Sequence, residues 1–155
     1  GPVGSKKLYF TETDTILGLT GPSWVDLGAT GSFTSNQLIS STTTLQSVSG
    51  IVTLDGIQLT VPNGGDGTYN IFFTGRADMT NDGVLDLQLL RNSVLVAGTR
   101  RNVGGGGNVR NDFLTPTLIT QQVLSAGDTL DIQVTTRLNG VADVTDRELI
   151  ISRVI

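Results

Sequence analysis

The sequence contains no histidine and no cysteine. Without histidine it lacks the usual general base and the commonest metal ligand. Without cysteine it lacks thiolate nucleophiles, thiolate zinc sites and disulfides. Neither a Ser–His–Asp triad nor a zinc hydrolase site can be assembled from this chain alone, and no cofactor or metal is expected. An extracellular setting stays open, because a chain of 155 residues can bury enough core to stand without bridges. Charge is also sparse: 14 acidic against 10 basic residues leave a net charge of −4, which disfavours a phosphate-rich nucleic-acid partner. No apolar run approaches the roughly 18–20 residues needed to insert across a bilayer, and no signal-peptide pattern is visible.

What is abundant is β-branched and small. There are 22 Thr, 15 Val and 10 Ile against two Glu and one Met, a composition that suits pleated surfaces and starves helices. Residues 1–5 (GPVGS) read as a cleavage and cloning scar, leaving residues 6–155 as one expected domain cut from a longer protein. Turn signals then recur at strand-length spacing: Gly21-Pro22, Gly31-Ser32, Asp55-Gly56, Asn63-Gly64-Gly65, Asn81-Asp82-Gly83, Gly127-Asp128 and Asn139-Gly140. Between them apolar residues alternate with period two. Ile57, Leu59 and Val61 share one face, as do Tyr69, Ile71 and Phe73. The stripes Leu85, Leu87, Leu89 and Leu130, Ile132, Val134 have Asp86, Gln88, Asp131 and Gln133 opposite. Such alternation predicts antiparallel sheets with one face in a core, packed as a sandwich or jelly roll. The Ser/Thr-rich stretch from Ser32 to Ser49 is read as edge strands anchored by Leu38, Leu45 and Val48, or else as a loop. The run Gly104 to Gly107 has no following Lys-Ser/Thr and no helix pattern, so a loop tip fits it better than a phosphate cradle.

Several segments carry a family resemblance. Gly67-Thr68-Tyr69-Asn70-Ile71-Phe72-Phe73 resembles the Gly-x-Tyr-x-Phe-x-Phe strand of the tumour-necrosis-factor-like and complement first-component globular heads. Leu85 to Leu89 followed by Arg91-Asn92-Ser93 is similar to that family's leucine strand and Lys-Asn-Gly turn, with Ser in place of Gly. Leu124-Ser125-Ala126-Gly127-Asp128-Thr129-Leu130-Asp131-Ile132 matches its Leu-x-x-Gly-Asp-x-Val-x-Leu segment, while the usual Phe-Gly-Phe ending is absent from Glu148 to Ile155. Physically, Gly127 permits a positive φ and Asp128 can accept from backbone amides in the same turn. The resemblance implies an all-β, antiparallel jelly-roll sandwich that forms a homotrimer. Tyr69, Phe72 and Phe73 are then the candidate contact strand, with Phe72 facing opposite to Tyr69 and Phe73. Phe72 either lies at the subunit contact or is covered by the N-terminal segment.

Strand alternation also predicts where ligands meet the domain. Successive strands at 68–75, 84–90, 94–101, 115–124, 129–137 and 147–155 place the connections 76–83, 102–114 and 138–146 together at one end, as its long loops. Long loops on a rigid scaffold are where binding usually resides. That end collects Arg76, Asp78, Asn81, Asp82, Arg110, Asp112, Asn139 and Asp143 as candidate ligand-binding residues. Their side chains suit sugar hydroxyls, an acidic sugar or calcium, although no dense Asp-x-Asp-x-Asp loop is present; they equally suit a solvated loop surface. Paired carboxylates can run glycoside hydrolysis without histidine, but two glutamates and few aromatics give that chemistry little support. The expected function is therefore non-enzymatic. It is the trimeric head of a viral, phage or bacterial surface fibre or spike, extracellular or on a virion or cell surface, binding a cell-surface receptor, possibly a glycan. A purely structural trimerisation domain is the alternative, and a glycan-processing domain the third reading.

Overall fold

The computed structural model describes residues 7–10, 23–26, 37–106 and 113–154. Among these the chain is strands and turns without helix. Strands β1 (Lys7–Phe10) and β2 (Ser23–Asp26) pair with each other. The rest forms two antiparallel sheets. The front sheet contains β3 (Gln37–Thr42), β4 (Gln46–Ser49), β7 (Gly67–Met79), β11 (Phe113–Leu114), β12 (Thr117–Leu124) and β14 (Val141–Arg153). Its order runs from β11 and β12 through β7 and β14 to β3 and β4. The back sheet runs β10 (Arg101–Gly106), β8 (Gly83–Arg91), β13 (Thr129–Arg137) and β5 (Ile51–Thr53). The short strands β6 (Leu59–Thr60) and β9 (Val94–Leu95) pair with β13 and β8. The connections β7–β8, β12–β13 and β13–β14 all cross between sheets, which makes the sandwich a jelly roll.

The period-two stripes meet in the middle. Tyr69, Ile71 and Phe73 of β7 and Leu149 and Ile151 of β14 face Leu85, Leu87 and Leu89 of β8 and Leu130, Ile132 and Val134 of β13; all are buried. Ile57, Leu59 and Val61 close the same core. The segment 37–49 is ordered edge strand along β14, with Val48 buried and Leu38 packed against the core. Leu45 is a correction: it is 56% exposed and anchors nothing.

The long loops are a second correction. Strand β7 continues to Met79 and β14 begins at Val141, so the connections there are tight turns at 80–82 and 138–140. The cause is that alternation persists through Ala77 and Met79, and through Ala142 and Val144, all buried, while the residues between them are polar. Alanine is a weak apolar signal beside a charge. Gly104 to Gly106 are likewise strand, paired with Gly83 to Leu85, rather than a loop tip.

Candidate functional site

Three places on this scaffold hold side chains arranged for more than filling a core: the upper end, the outward face of the front sheet, and the outward face of the back sheet.

At the upper end the turns between β7 and β8 and between β13 and β14 do converge. Asn81 donates from Nδ2 to the Asn139 carbonyl at 2.7 Å, and its Oδ1 accepts from the Val141 amide at 2.6 Å. Gly83 and Gly140 allow the approach, since a Cβ on Gly83 would lie 2.3 Å from the Gly140 Cα. Both polar groups of Asn81 are thus engaged in holding two turns together. Asp82 is exposed on the same turn. Arg76, Asp78 and Asp143 lie on strands, not in loops: Asp78 and Asp143 are register partners on β7 and β14, and Arg76 opposes Thr145. Together with Leu45 these residues line a cleft of about 270 Å³. The Ser47 hydroxyl donates to Asp143, while Asp78 Oδ1 is buried without a hydrogen-bond partner. Arg110 and Asp112 lie outside the described residues. Among the described residues no group of three or more acidic side chains could hold a metal ion.

The lower end is built differently. The turn Asn92-Ser93 has φ of +51° and +64°, the left-handed pair that a two-residue hairpin requires. Gly127 has φ of +88°, and Asp128 Oδ2 accepts from the Ser125 amide at 2.8 Å, as the Gly-Asp segment suggested. Arg91 pairs with Asp128 at 2.6 Å, and Asn92 donates to its other oxygen at 2.7 Å. Burial alone would push the Asp128 carboxyl up; the bonds from Ser125, Asn92 and Arg91 outweigh it and hold the group below the usual carboxylate range.

The outward face of the front sheet carries a row of large apolar side chains. Register places Ile119 beside Phe72, Phe72 beside Ile150, and Ile150 beside Ile39, across four neighbouring strands. Ile119 is 63% and Ile39 53% exposed, with Phe72 and Ile150 half-buried. The rows on either side are polar: Thr117, Thr74, Glu148 and Ser41 above, and Gln121, Asn70, Ser152 and Gln37 below. Of the three residues expected at a subunit contact, only Phe72 presents its side chain outward. Tyr69 and Phe73 have no exposed surface, and the Tyr69 hydroxyl donates to the Gly65 carbonyl at 2.6 Å inside the core. Their stripe faces the opposite sheet, so it is corrected from contact residues to core.

The back sheet's outward face is centred on Asp86. Its side chain is 4% exposed and accepts from Arg100 at 2.6 Å, Asn102 at 2.8 Å and Arg137 at 3.0 Å. Burial raises its pKa, and the three donors with the Arg100 charge more than reverse that, leaving it lowered. Sequence reading missed this cluster, and with it Ile39, Ile119 and Ile150, because each depends on which strands are neighbours.

No family model matches the sequence, and no curated protein matches it either. Solved structures do resemble the fold. Eiger TNF from S. frugiperda is 12% identical with a TM-score of 0.47, over 78% of this chain and 94% of that one. A chain of infectious bursal disease virus Gx strain is 12% identical with a TM-score of 0.43, over 88% of this chain and 37% of that one. A carbohydrate-binding module from Cellvibrio mixtus lichenase 5A, solved with cellotriose, is 16% identical with a TM-score of 0.34, over 99% of this chain and 89% of that one. The chain spans little more than a third of the viral chain's length. Strand order by itself defines an antiparallel jelly-roll β-sandwich.

Proposed function

We propose that this domain is a non-enzymatic head that self-associates as a homotrimer through the outward face of its front sheet and attaches a surface fibre or spike to a receptor. The observation that carries the reading is the row Ile119, Phe72, Ile150 and Ile39, four apolar side chains in register with a polar row on either side. Contiguous apolar surface of this kind is normally covered, and covering one such side chain fully is worth about 1.5–3 kcal/mol. A second copy presenting the same row supplies that cover; the threefold count follows from the sequence resemblance. Receptor attachment is supported by the clustering of Arg76, Asp78 and Asp143 around one cleft near the upper end, away from the closely tied lower turns.

The alternative, an assembly domain that recognises nothing, is favoured by one observation: Asn81 and the Asn139 carbonyl are already engaged in the turn structure. Light scattering on the purified domain tests self-association first. A trimeric mass that falls to the monomer in Phe72→Asp, with circular dichroism unchanged, is the expected outcome. A monodisperse monomer at micromolar concentration for the unmutated chain refutes it. Binding to a glycan array that weakens in Asp78→Ala and Asp143→Ala separates attachment from bare assembly.

A further inference from the structure

The arginines of this sandwich differ in what can reach them. Arg147 is turned inward where β14 changes register between Thr145 and Glu148, and at 2% exposed it meets nothing from outside. Arg100 and Arg137 stand at the outward face of the back sheet, with side chains 58% and 50% exposed. Their ends are nevertheless fixed. Arg100 Nη2 and Arg137 Nε both donate to Asp86 Oδ2, at 2.6 and 3.0 Å, while Asn102 donates to Oδ1 at 2.8 Å. The Asp86 side chain is nearly buried, so both guanidiniums are held against a fixed point of the sheet. Each keeps N–H groups that no described residue accepts: Nε and Nη1 of Arg100, and Nη1 and Nη2 of Arg137. Two cations on one anion leave one positive charge uncompensated at this point of a chain whose net charge is −4.

Arg100 borders a groove of about 210 Å³ on the same face. Register builds its floor from two rows, Asp86, Thr135 and Ile51 in one and Gln88 and Gln133 in the next. Ile51 on β5 and Leu95 on β9 flank it, 71% and 46% exposed. The Gln133 amide and the Thr135 hydroxyl are half-buried on the floor and make no hydrogen bond among the described residues. Each feature selects a part of a ligand. The uncompensated charge draws an anion, and a guanidinium fork matches the paired oxygens of an acidic group. A free amide and a free hydroxyl match sugar hydroxyls, which both donate and accept. The apolar flanks suit the C–H edges of a ring. An acidic peptide fits less well, because the backbone groups of β8 and β13 are spent on pairing with their neighbours and offer an added chain no ladder. The groove is smaller than clefts that enclose drug-sized ligands, which matches one ring and not several.

We propose that Arg100, Arg137, Gln133 and Thr135 form a binding subsite for a sugar unit carrying one negative charge, as in an acidic glycan. The inference rests on the attachment reading for its biological use and names a ligand class for it. It places this contact on the outward face of the back sheet, and not in the cleft of Arg76, Asp78 and Asp143. It is independent of the trimer, whose apolar row lies on the outward face of the front sheet.

The test is a titration of the ¹⁵N-labelled protein with glucuronate, galacturonate, N-acetylneuraminate and glucose 6-sulfate, and separately with glucose, galactose, acetate and a polyglutamate peptide. The Arg100 Nε–H and Gln133 side-chain amide resonances are followed. The expected result is that at least one acidic sugar shifts both together, that the neutral sugars do not, and that acetate binds more weakly. The carboxylated sugars against the sulfated one show which acidic group the site takes. Arg100→Gln should bind that sugar about tenfold more weakly, as expected for loss of a hydrogen bond to a charged group. Gln133→Ala should weaken the sugar and leave acetate unchanged; if Arg100→Gln fails to fold, this variant carries the test. The proposal is overturned if no acidic sugar moves these resonances, if a neutral sugar moves them as strongly, or if Arg100→Gln binds like the unmutated protein. It is overturned equally if acetate binds as tightly as the sugars, which marks an adventitious ion only, or if polyglutamate binds more tightly, which marks a protein partner. Asp78→Ala should bind the acidic sugar unchanged, so the attachment reading for the upper cleft stands or falls separately.

Discussion

The two outward faces of the sandwich are built on the same alternation and carry opposite chemistry. On the front sheet the outward positions of four adjacent strands line up Ile119, Phe72, Ile150 and Ile39. On the back sheet the corresponding centre is Asp86, ringed by Arg100, Arg137 and Asn102, with Gln88 and Gln133 in the next row. Apolar residues occur on the back face as well, but singly and near its margins, as with Ile51 and Leu95. Single exposed apolar side chains are ordinary on any protein, whereas a row in register is a surface that gains by being covered. A carboxylate saturated by three donors gains nothing from a partner. The contrast is the reason the proposed self-association is placed on the front face and not on the back.

Substitutions on nearby residues of β7 break this comparison most sharply. Tyr69→Asp puts a lone carboxylate into the core in place of a fully buried ring, and the expected outcome is an unfolded chain, a loss above about 4 kcal/mol. Phe72→Asp, three residues along and on the other face, is expected to leave the fold intact and remove only the assembly. Chemical denaturation and light scattering on the two variants separate the effects; unfolding by both shows that Phe72 belongs to the core.

On the back face, Asp86→Ala is expected to cost about 2 kcal/mol by denaturant titration, for lost bonds to charged donors. The figure is moderated because Arg100 and Arg137 remain half exposed and hydrated. Oligomeric mass should not change; a dissociated Asp86→Ala protein refutes the division between the faces. The same group predicts a pH response. Asp86 and Asp128 both titrate below the ordinary carboxylate value of 3.8 in the folded chain, so their contribution is fully present above that value. It is lost as pH falls through the depressed folded values. Thermal stability should therefore hold from neutrality down to about pH 5 and decline below about pH 4, more weakly in Asp86→Ala.

The smallest effect concerns the turn at the upper end. Leu138 has φ of +57° and is 72% exposed, so it adopts a costly left-handed backbone without burying its side chain. Leu138→Gly should raise stability by about 1 kcal/mol while leaving mass and ligand binding alone. A destabilised Leu138→Gly would show that this side chain is covered in the assembly.

Much of the fold was legible in the order of residues alone. The stripes Leu85, Leu87, Leu89 and Leu130, Ile132, Val134 face the core as their alternation predicts, and Gly127 and Asp128 build the turn expected of them. That the turns around Asn81 and Asn139 share one end also came from counting strand reversals. Reading failed where apolar residues were small and their neighbours charged, at Ala77, Asp78 and Ala142, Asp143, which seemed to be loops and are strands. It failed for Leu45, because an isolated leucine does not declare whether it is buried.

Along each strand, then, local alternation by itself determined which side of the pleat a residue occupies, because that periodicity is a property of the backbone. It set Phe72 and Tyr69 on opposite faces without reference to anything else in the chain. Only the tertiary structure decided who stands beside whom. Ile119, Ile150 and Ile39 join Phe72 through pairings between segments far apart in the chain, and Asp86 meets Arg137 across the sheet. The inward turn of Arg147 likewise depends on a bulge, where one added residue reverses the facing of its successors along β14. Register between distant strands is set by the packing of the whole core, and no local run of residues contains it.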